Sequence, residues 1–337
     1  MDLRFSFVVP VYNRPEETRE LLQSLSLQQY SAPFEVVIVE DGSSRTSESV
    51  VREFQDRLRI SYYQKANTGP GDSRNYGMGK ALGDYFILVD SDCILPPEYL
   101  EEVRNALSLN YLDCFGGPDD AHPSFNALQQ AISYTMTSVL TTGGIRGKKI
   151  ARNFQPRSFN MGISREAFEA SGGFGNIHPG EDPDLSLRLK KLGFSLGFIP
   201  GARVYHKRRI DFPSFFRQVH KFGLTRPILN QWHPGSARLT YWFPSLFLIG
   251  TLFAVLLPVF WKDPGAWTPL ALLGAYLLAI GIGTALKTGN FKAACLAPVA
   301  VMVQFAGYGL GFLKSTILLT FSRKKPEELF PRLFFKP

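Results

Sequence analysis

Asp90-Ser91-Asp92 sets two carboxylates two residues apart, directly after the apolar run Tyr85-Phe86-Ile87-Leu88-Val89. Two such groups at a strand end can reach one hard divalent cation, Mg²⁺ or Mn²⁺, which takes oxygen ligands and bridges to phosphates. The cation would offset charge building up on a leaving diphosphate. The same triplet also suits a plain strand-end turn. A second acidic cluster follows at Gly180-Glu181-Asp182-Pro183-Asp184, ahead of Leu185, Leu189 and Leu192 at helical spacing. Asp184 can cap that helix, and Asp182, just before it, can point into a cleft and take a proton as general base. All three acids could equally serve the helix dipole.

These carboxylates need a scaffold. Phe5–Val11, Phe34–Val39, Ile60–Gln64 and Tyr85–Val89 read as short buried strands. Glu16–Gln29 and Ser47–Leu58 read as helices, and a glycine loop leads into a third helix within Gly69–Leu82. This alternation predicts an α/β fold with a doubly wound, mostly parallel sheet. Ligands bind beyond the carboxyl ends of such strands. Tyr12-Asn13, Glu40-Asp41 and Asp90-Asp92 all fall there.

The rest of the chain differs in composition. Apolar residues dominate from Tyr241 to about Thr320, in stretches near 241–260, 267–286 and 293–320. Each is close to the ~20 residues a helix needs to cross a bilayer. Pro244, Pro258, Pro269 and Pro298 lie toward their ends, and Trp242, Trp261 and Trp267 sit where an aromatic belt is expected. Of the net charge of +8, Arg203, Lys207, Arg208, Arg209, Arg217, Lys221, Arg226 and Arg238 form a basic run relieved only by Asp211. A basic run before an apolar span suits the anionic cytoplasmic face of a membrane. No recognition helix or stacking motif accompanies it, so nucleic acid is not the expected partner. Cys93, Cys114 and Cys295 are widely spaced, which fits a reducing compartment and no structural zinc. The N-terminus lacks a signal-peptide pattern. The expected organisation is a doubly wound α/β domain over 1–206, a basic interfacial segment over 207–238, transmembrane helices over 239–320 and a basic tail over 321–337. Phe212, Phe215, Phe216, Val219 and Phe222 would form one face of the interfacial helix. Topology is in conflict, because three crossings from an inner catalytic domain put Arg323-Lys324-Lys325 outside, against the positive-inside preference.

Taken in order, the motifs resemble the family 2 glycosyltransferases of the GT-A fold. The matching segments are Val8-Val9-Pro10-Val11-Tyr12-Asn13-Arg14, Glu40-Asp41-Gly42-Ser43, the loop from Asn67 to Gly77 with Arg74-Asn75, Asp90-Ser91-Asp92, Phe159-Asn160-Met161-Gly162, Gly172-Gly173-Phe174 and Gly180-Glu181-Asp182. The resemblance covers about residues 5–206. It implies donor contacts from Pro10, Tyr12, Asn13, Glu40, Asp41, Arg74, Asn75, Asp90 and Asn160. It also implies a metal on Asp92 and Asp90 with His206 as a further ligand, an acceptor site at Glu181 and Asp182, and Asp182 as catalytic base. Glu40 stands where the family often has Asp, and Ser73 where it often has Ala. Gln218-Val219-His220-Lys221-Phe222 only faintly resembles the Gln-x-x-Arg-Trp of membrane polysaccharide synthases, and lysine lacks arginine's bidentate fork. The implied activity is inverting transfer of a sugar from a nucleoside-diphosphate donor, UDP-linked by preference, to a lipid-linked or glycan acceptor in cell-envelope synthesis. The implied place is the inner membrane, as a multi-pass protein with its catalytic domain in the cytoplasm. A nucleotidyltransferase-like sugar-nucleotide enzyme and a non-enzymatic membrane scaffold are the competing readings. A nicotinamide dehydrogenase is disfavoured, since no G-x-G-x-x-G follows the first strand.

Overall fold

A computed structural model describes residues 3–120, 125–142, 154–206 and 211–335. The side chains of Asp120 and His206 lie outside that description, as do Lys207, Arg208 and Arg209 of the expected basic run. The chain forms two compact units. The first comprises 1–122, 150–207 and 334–337; the second comprises 123–149 and 208–333.

The first unit is built on a seven-stranded sheet in the order β3-β2-β1-β4-β8-β6-β9. β1 (Phe5–Val11), β2 (Glu35–Asp41), β3 (Arg59–Lys65) and β4 (Tyr85–Val89) run parallel. β8 (Asn160–Ser164) runs antiparallel between β4 and β6 (Cys114–Gly116), and β9 (Leu196–Phe198) closes the edge parallel to β6. A small sheet joins β5 (Cys93–Ile94), β10 (Val204–His206) and β7 (Asp119–Asp120).

Side-chain alternation explains why helices cover both faces. Phe5, Phe7, Val9, Val36, Ile38, Tyr85 and Ile87 point to one side. There they meet Leu21, Leu22 and Leu25 of α1 (Pro15–Ser26), Val50 and Val51 of α2 (Glu48–Arg52), and Tyr99, Leu100 and Val103 of α4 (Tyr99–Leu109). Val8, Val37, Val39, Phe86 and Leu88 point to the other. They meet Met78 of α3 (Pro70–Lys80), Ala167 of α7 (Arg165–Ser171), and Leu185 and Leu189 of α8 (Glu181–Lys191). A sheet buried on both faces needs near-continuous apolar strands, which these are. The expected doubly wound, mostly parallel sheet is therefore present.

The second unit is helical. α5 (Ala127–Thr137) opens with a capping box in which Asn126 and Gln129 satisfy each other's backbone N–H groups. A short α6 (Val139–Thr142) follows, and then α9 (Phe212–Trp232), α10 (Phe243–Phe260), α11 (Thr268–Thr288) and α12 (Phe291–Phe321). Phe215 and Val219 of α9 are buried with Ile132 and Met136 of α5 and Ala300 of α12, so the core of the apolar face expected on this helix is packed inside the unit. Glycines allow a close approach: a Cβ at Gly311 would stand 2.3 Å from the His220 carbonyl oxygen. Three segments, Leu239–Phe260, Pro264–Thr288 and Phe291–Phe321, are long and apolar enough to cross a membrane.

Candidate functional site

Four parallel strands end on one edge of the main sheet, and β8 begins there, with Asn160 opposite Val89. Each loop leaving this edge carries a polar group fixed by its neighbours. After β1, Asn13 adopts φ 55°, the one non-glycine residue at positive φ among the described residues. Its Oδ1 accepts from the backbone N–H groups of Ser44 (2.9 Å) and Arg45 (3.0 Å), and its own N–H donates to Ser43 Oγ at 2.7 Å. The β1 and β2 loops are thereby tied, leaving Tyr12 beside them 53% exposed. Pro10 lies within β1, in register with Val39.

The two acids ending β2 have separate work. Glu40 is 1% exposed and accepts from the Ser43 hydroxyl, from Ser47 N–H at 2.8 Å and from Tyr62 Oη at 3.0 Å. Asp41 accepts from Lys65 Nζ (2.8 Å) and from the backbone N–H groups of Thr68 (3.0 Å) and Gly69 (2.9 Å). Both carboxylates therefore organise loops: Glu40 the turn into α2, Asp41 the turn into α3.

α3 then delivers Arg74, a guanidinium only 3% exposed. Its Nη2 donates to Asp90 Oδ1 at 2.6 Å, its Nη1 stands 3.9 Å from Glu181 Oε1, and its plane lies 5.6 Å from the Phe174 ring centroid. Nε and Nη1 are buried with no hydrogen-bond partner. A buried donor left unmet is costly, so these two atoms are poised for an acceptor that a ligand brings. Asn75, the next residue, clamps Phe174 by donating to its carbonyl (2.9 Å) and accepting its N–H (2.8 Å).

The Asp90-Ser91-Asp92 triplet leaves β4 at the same edge. Asp92 pairs with Arg14 at the start of α1, so each carboxylate of the triplet faces an arginine. Among the described residues no group of three or more His, Cys, Asp or Glu gathers. Among the described side chains the triplet offers two carboxylates, Asp90 and Asp92. That donor set fits Mg²⁺ or Mn²⁺ shared with a diphosphate. His206 ends β10 in register with Cys93, one residue after Asp92.

α8 brings in the second acidic cluster. The expected helix start differs here. Gly180, at φ 128°, is the N-cap, Glu181 and Asp182 occupy the first turn, and Asp184 lies inside the helix, bonded to Arg188 Nε at 2.9 Å. Arg188 also holds the Ser171 and Gly173 carbonyls, each at 2.6 Å. Leu185 and Leu189 are buried, whereas Leu192 is exposed. Glu181 accepts from His178 Nδ1 at 2.8 Å. Burial works against its ionisation, but His178 and Arg74 outweigh it and hold Glu181 below the usual carboxylate range. Burial pushes Asp182 up to about 6, the Glu181 charge adds to this, and Arg74, Arg157 and Ser158 oppose it. Asp182 Oδ1 is buried with no hydrogen-bond partner. A carboxylate poised near neutrality with a lone pair unspent is equipped to take a proton.

Asn160 is 1% exposed and fully bonded, accepting from Tyr99 Oη (2.7 Å) and donating to Ala202 O (2.7 Å). It joins β8, α4 and the chain before β10. The structure thus brings Arg74, Asp90, Glu181 and Asp182 together, with Asp92 two residues beyond Asp90. Glu40, Asn75 and Asn160 hold the frame around them. Arg14 and His178 were not singled out by sequence; the signal was their position, Arg14 immediately after the Tyr12-Asn13 turn and His178 three residues before Glu181.

Residues 6–171 match the model of glycosyl transferase family 2. The chain is 32% identical over 114 residues to the poly(ribitol-phosphate) β-N-acetylglucosaminyltransferase TarS of Staphylococcus aureus, covering 33% of this chain and 20% of TarS. It is 24% identical over 224 residues to the glycosyltransferase AglE of Haloferax volcanii, covering 65% and 71%. A match to an uncharacterized glycosyltransferase of Rickettsia bellii spans 13% of that protein, so the aligned part is a fifth or less of these first two curated relatives, TarS and the Rickettsia protein. Among solved structures, the mannosyltransferase PcManGT of Pyrobaculum calidifontis, in complex with GDP-Man and Mn²⁺, superposes with a TM-score of 0.56 at 17% identity, covering 96% of this chain and 89% of that one. TarS 1–349 in complex with UDP-GlcNAc gives 0.50 at 17% identity, covering 92% and 91%. At that identity the likeness is one of fold.

Proposed function

We propose, from the match of residues 6–171 to the glycosyl transferase family 2 model, that the chain is an inverting, cation-assisted glycosyltransferase using a nucleoside-diphosphate sugar. The carrying observation is the convergence of an under-bonded buried Arg74 with Asp90, Glu181 and Asp182 at one sheet edge. Tyr12 and Pro10 flank the nucleoside, and Asp41 shapes the loop around it. Arg74 directs its unmet N–H groups at the donor. Asp90 and Asp92 would hold the divalent cation, which supplies charge stabilisation to the leaving diphosphate. An acceptor hydroxyl attacks the anomeric carbon as Asp182 Oδ1 takes its proton, and the bond to the nucleoside diphosphate breaks. One displacement inverts the anomeric configuration.

A UDP donor is favoured by the sequence resemblance, and the solved structures similar in fold include complexes with UDP-GlcNAc and with GDP-Man. The three apolar helices support membrane anchoring; the reading is completed by an inner-membrane location with the catalytic unit in the cytoplasm and by a lipid-linked or glycan acceptor of the cell envelope. Calorimetry with UDP and GDP, each with and without Mn²⁺, tests the site. Cation-dependent binding of a nucleoside diphosphate is expected; no binding of either would return the chain to a membrane scaffold. A panel of nucleotide sugars assayed for hydrolysis in detergent then selects the donor.

A further inference from the structure

The last described residues of the chain return to the catalytic unit. Phe334 forms an antiparallel bridge with Ile177, Phe335 N–H donates to the Asn176 carbonyl at 3.1 Å, and the Phe335 ring lies 5.9 Å from that of His178. The same ring covers Gly69, where a Cβ would meet it at 2.3 Å. Residues 176–178 and 334–335 therefore lie on one side of any membrane. Between them run three helices long and apolar enough to cross. An odd number of crossings would separate what the bridge joins, so the number is even.

We infer that α10 and α11 cross as a hairpin, and that α12 completes no crossing and packs on the catalytic side. This rests on the membrane reading proposed above. Burial selects the pair. In the apolar windows of α10 and α11 only 11% of residues are buried, leaving Leu246, Ile249, Leu252, Phe253, Leu272 and Leu278 turned outward. In α12 the share is 44%. Ala297, Val301 and Phe305 are covered by Tyr134 and Ile280, and Ala300 by α9 and α5. α12 also carries Lys314 as an exposed residue within its last turns, a charge disfavoured in lipid. The outward faces of α10 and α11 fit a bilayer in length, because Leu239–Phe260 has 22 residues and Pro264–Thr288 has 25, each near the ~20 needed to span.

Charge agrees. With this hairpin, Arg217, Lys221, Arg226 and Arg238 before α10, Lys287 and Lys292 around the α11–α12 junction, and Arg323, Lys324 and Lys325 after α12 all share the catalytic side. The loop 261–267 on the far side carries only Lys262 and Asp263, between Trp261 and Trp267. This is the distribution the positive-inside rule favours, and the conflict raised by three crossings disappears.

Alkaline carbonate extraction of membranes bearing the full chain tests the underlying reading. Retention in the pellet is expected, and release would overturn membrane insertion itself. Topology is read from single cysteines in a Cys295→Ser background, since Cys93 and Cys114 are buried. Asp56→Cys marks the catalytic unit, Asp263→Cys the α10–α11 loop and Lys325→Cys the segment after α12. Sealed vesicles of each orientation are treated with a membrane-impermeant maleimide. Asp56→Cys and Lys325→Cys should label from one face and Asp263→Cys only from the other. Labelling of Lys325→Cys from the face opposite Asp56→Cys would establish an odd count and overturn the inference. Labelling of Asp263→Cys from the same face as Asp56→Cys would overturn the hairpin.

Discussion

At the scale of single residues, proton affinity and spent hydrogen bonds separate the acids from one another. Asp182 is pushed up to about 6 by burial and by Glu181. As the base it must be ionised, so kcat/KM should rise with pH through an apparent pKa near 6 and level off above it. Stability runs the other way. The folded state holds a proton on Asp182 that the unfolded chain has already released, so this group's contribution is present at low pH and lost as pH rises through about 6. Replacing Asp182→Asn keeps the shape and removes the base. That variant should fold, bind nucleoside diphosphate as the parent does and lose transfer by at least about 100-fold, in line with the usual worth of general-base catalysis; near-parental turnover would remove Asp182 from the role. Arg14 belongs to the same scale. Its carbonyl accepts from Thr18 N–H and Oγ1, at 3.0 and 2.8 Å, fixing its backbone at the α1 N-terminus, while its side chain, 46% exposed, pairs with Asp92. On the proposed cation site, guanidinium and metal compete for one carboxylate. Arg14→Ala should therefore bind Mn²⁺ alone about fivefold tighter, as a partly exposed ion pair of roughly 1 kcal/mol would give. Titration followed by the Mn²⁺ electron paramagnetic signal measures it, and an unchanged affinity would mean the pair does not guard the site. Residue types made Asp90, Asp92 and Asp182 visible in the sequence. They did not reveal that Glu40 and Asn160, of equally suggestive type, have their polar atoms committed to the frame. That depends on partners 7 to 61 positions away, such as Ser47, Tyr62 and Tyr99.

At the scale of elements, α3 is the piece that turns packing into chemistry, because it carries Arg74 while resting on the sheet through Gly77. A Cβ at Gly77 would stand 2.5 Å from Val8 Cγ1 and 3.1 Å from Val39 Cγ2, both from strands buried on each side. Neither valine has room to yield, so Gly77→Ala should lift α3, cost about 1–3 kcal/mol as overpacking does, and weaken nucleotide binding along with stability. Gly79, two residues on, is exposed with nothing within 4 Å of its would-be Cβ. Gly79→Ala should instead stabilise by about 0.5–1 kcal/mol, the ordinary helix preference. Thermal denaturation of the two variants side by side checks the contrast, and equal shifts would contradict the proposed seating of α3. β1, β2 and β4 and their polar ends were readable because apolar runs stopped at Tyr12-Asn13, Glu40-Asp41 and Asp90. The small sheet was not. β5 and β7 have two residues each and β10 three, too short for any alternation to register, and their pairing is long-range. The expected helix over 47–58 is formed only through Arg52, after which the chain proceeds in turns that still bury Phe54 and Leu58.

At the scale of the whole molecule, residues 334–335 return to the first unit, and this bears on the loop from Thr68 to Gly69. The turn from Thr68 to Gly69 is held from within by Asp41, which accepts both backbone N–H groups, and covered from without by Phe335. Phe335 also lines a cavity of about 100 Å³ with Thr68, Asp72, Asn75, Phe174 and His178. The sequence shows a basic tail and nothing of this return, since a two-residue contact across more than 150 positions leaves no local pattern. Removing the ring frees one wall of the loop that leads into Arg74. Phe335→Ala should therefore weaken nucleoside-diphosphate binding several-fold. An aromatic contact of this kind contributes roughly 1 kcal/mol beyond the area it buries, the free-energy equivalent of about fivefold in affinity. The pH dependence set by Asp182 should stay in place, because Phe335 carries no charge and its contacts are with Gly69, Asn176 and His178. Calorimetric affinity and the kcat/KM profile, measured on the same variant in detergent, separate the two effects. A profile shifted in pH with affinity intact would mean the chain end acts on the acidic pair and not on the loop.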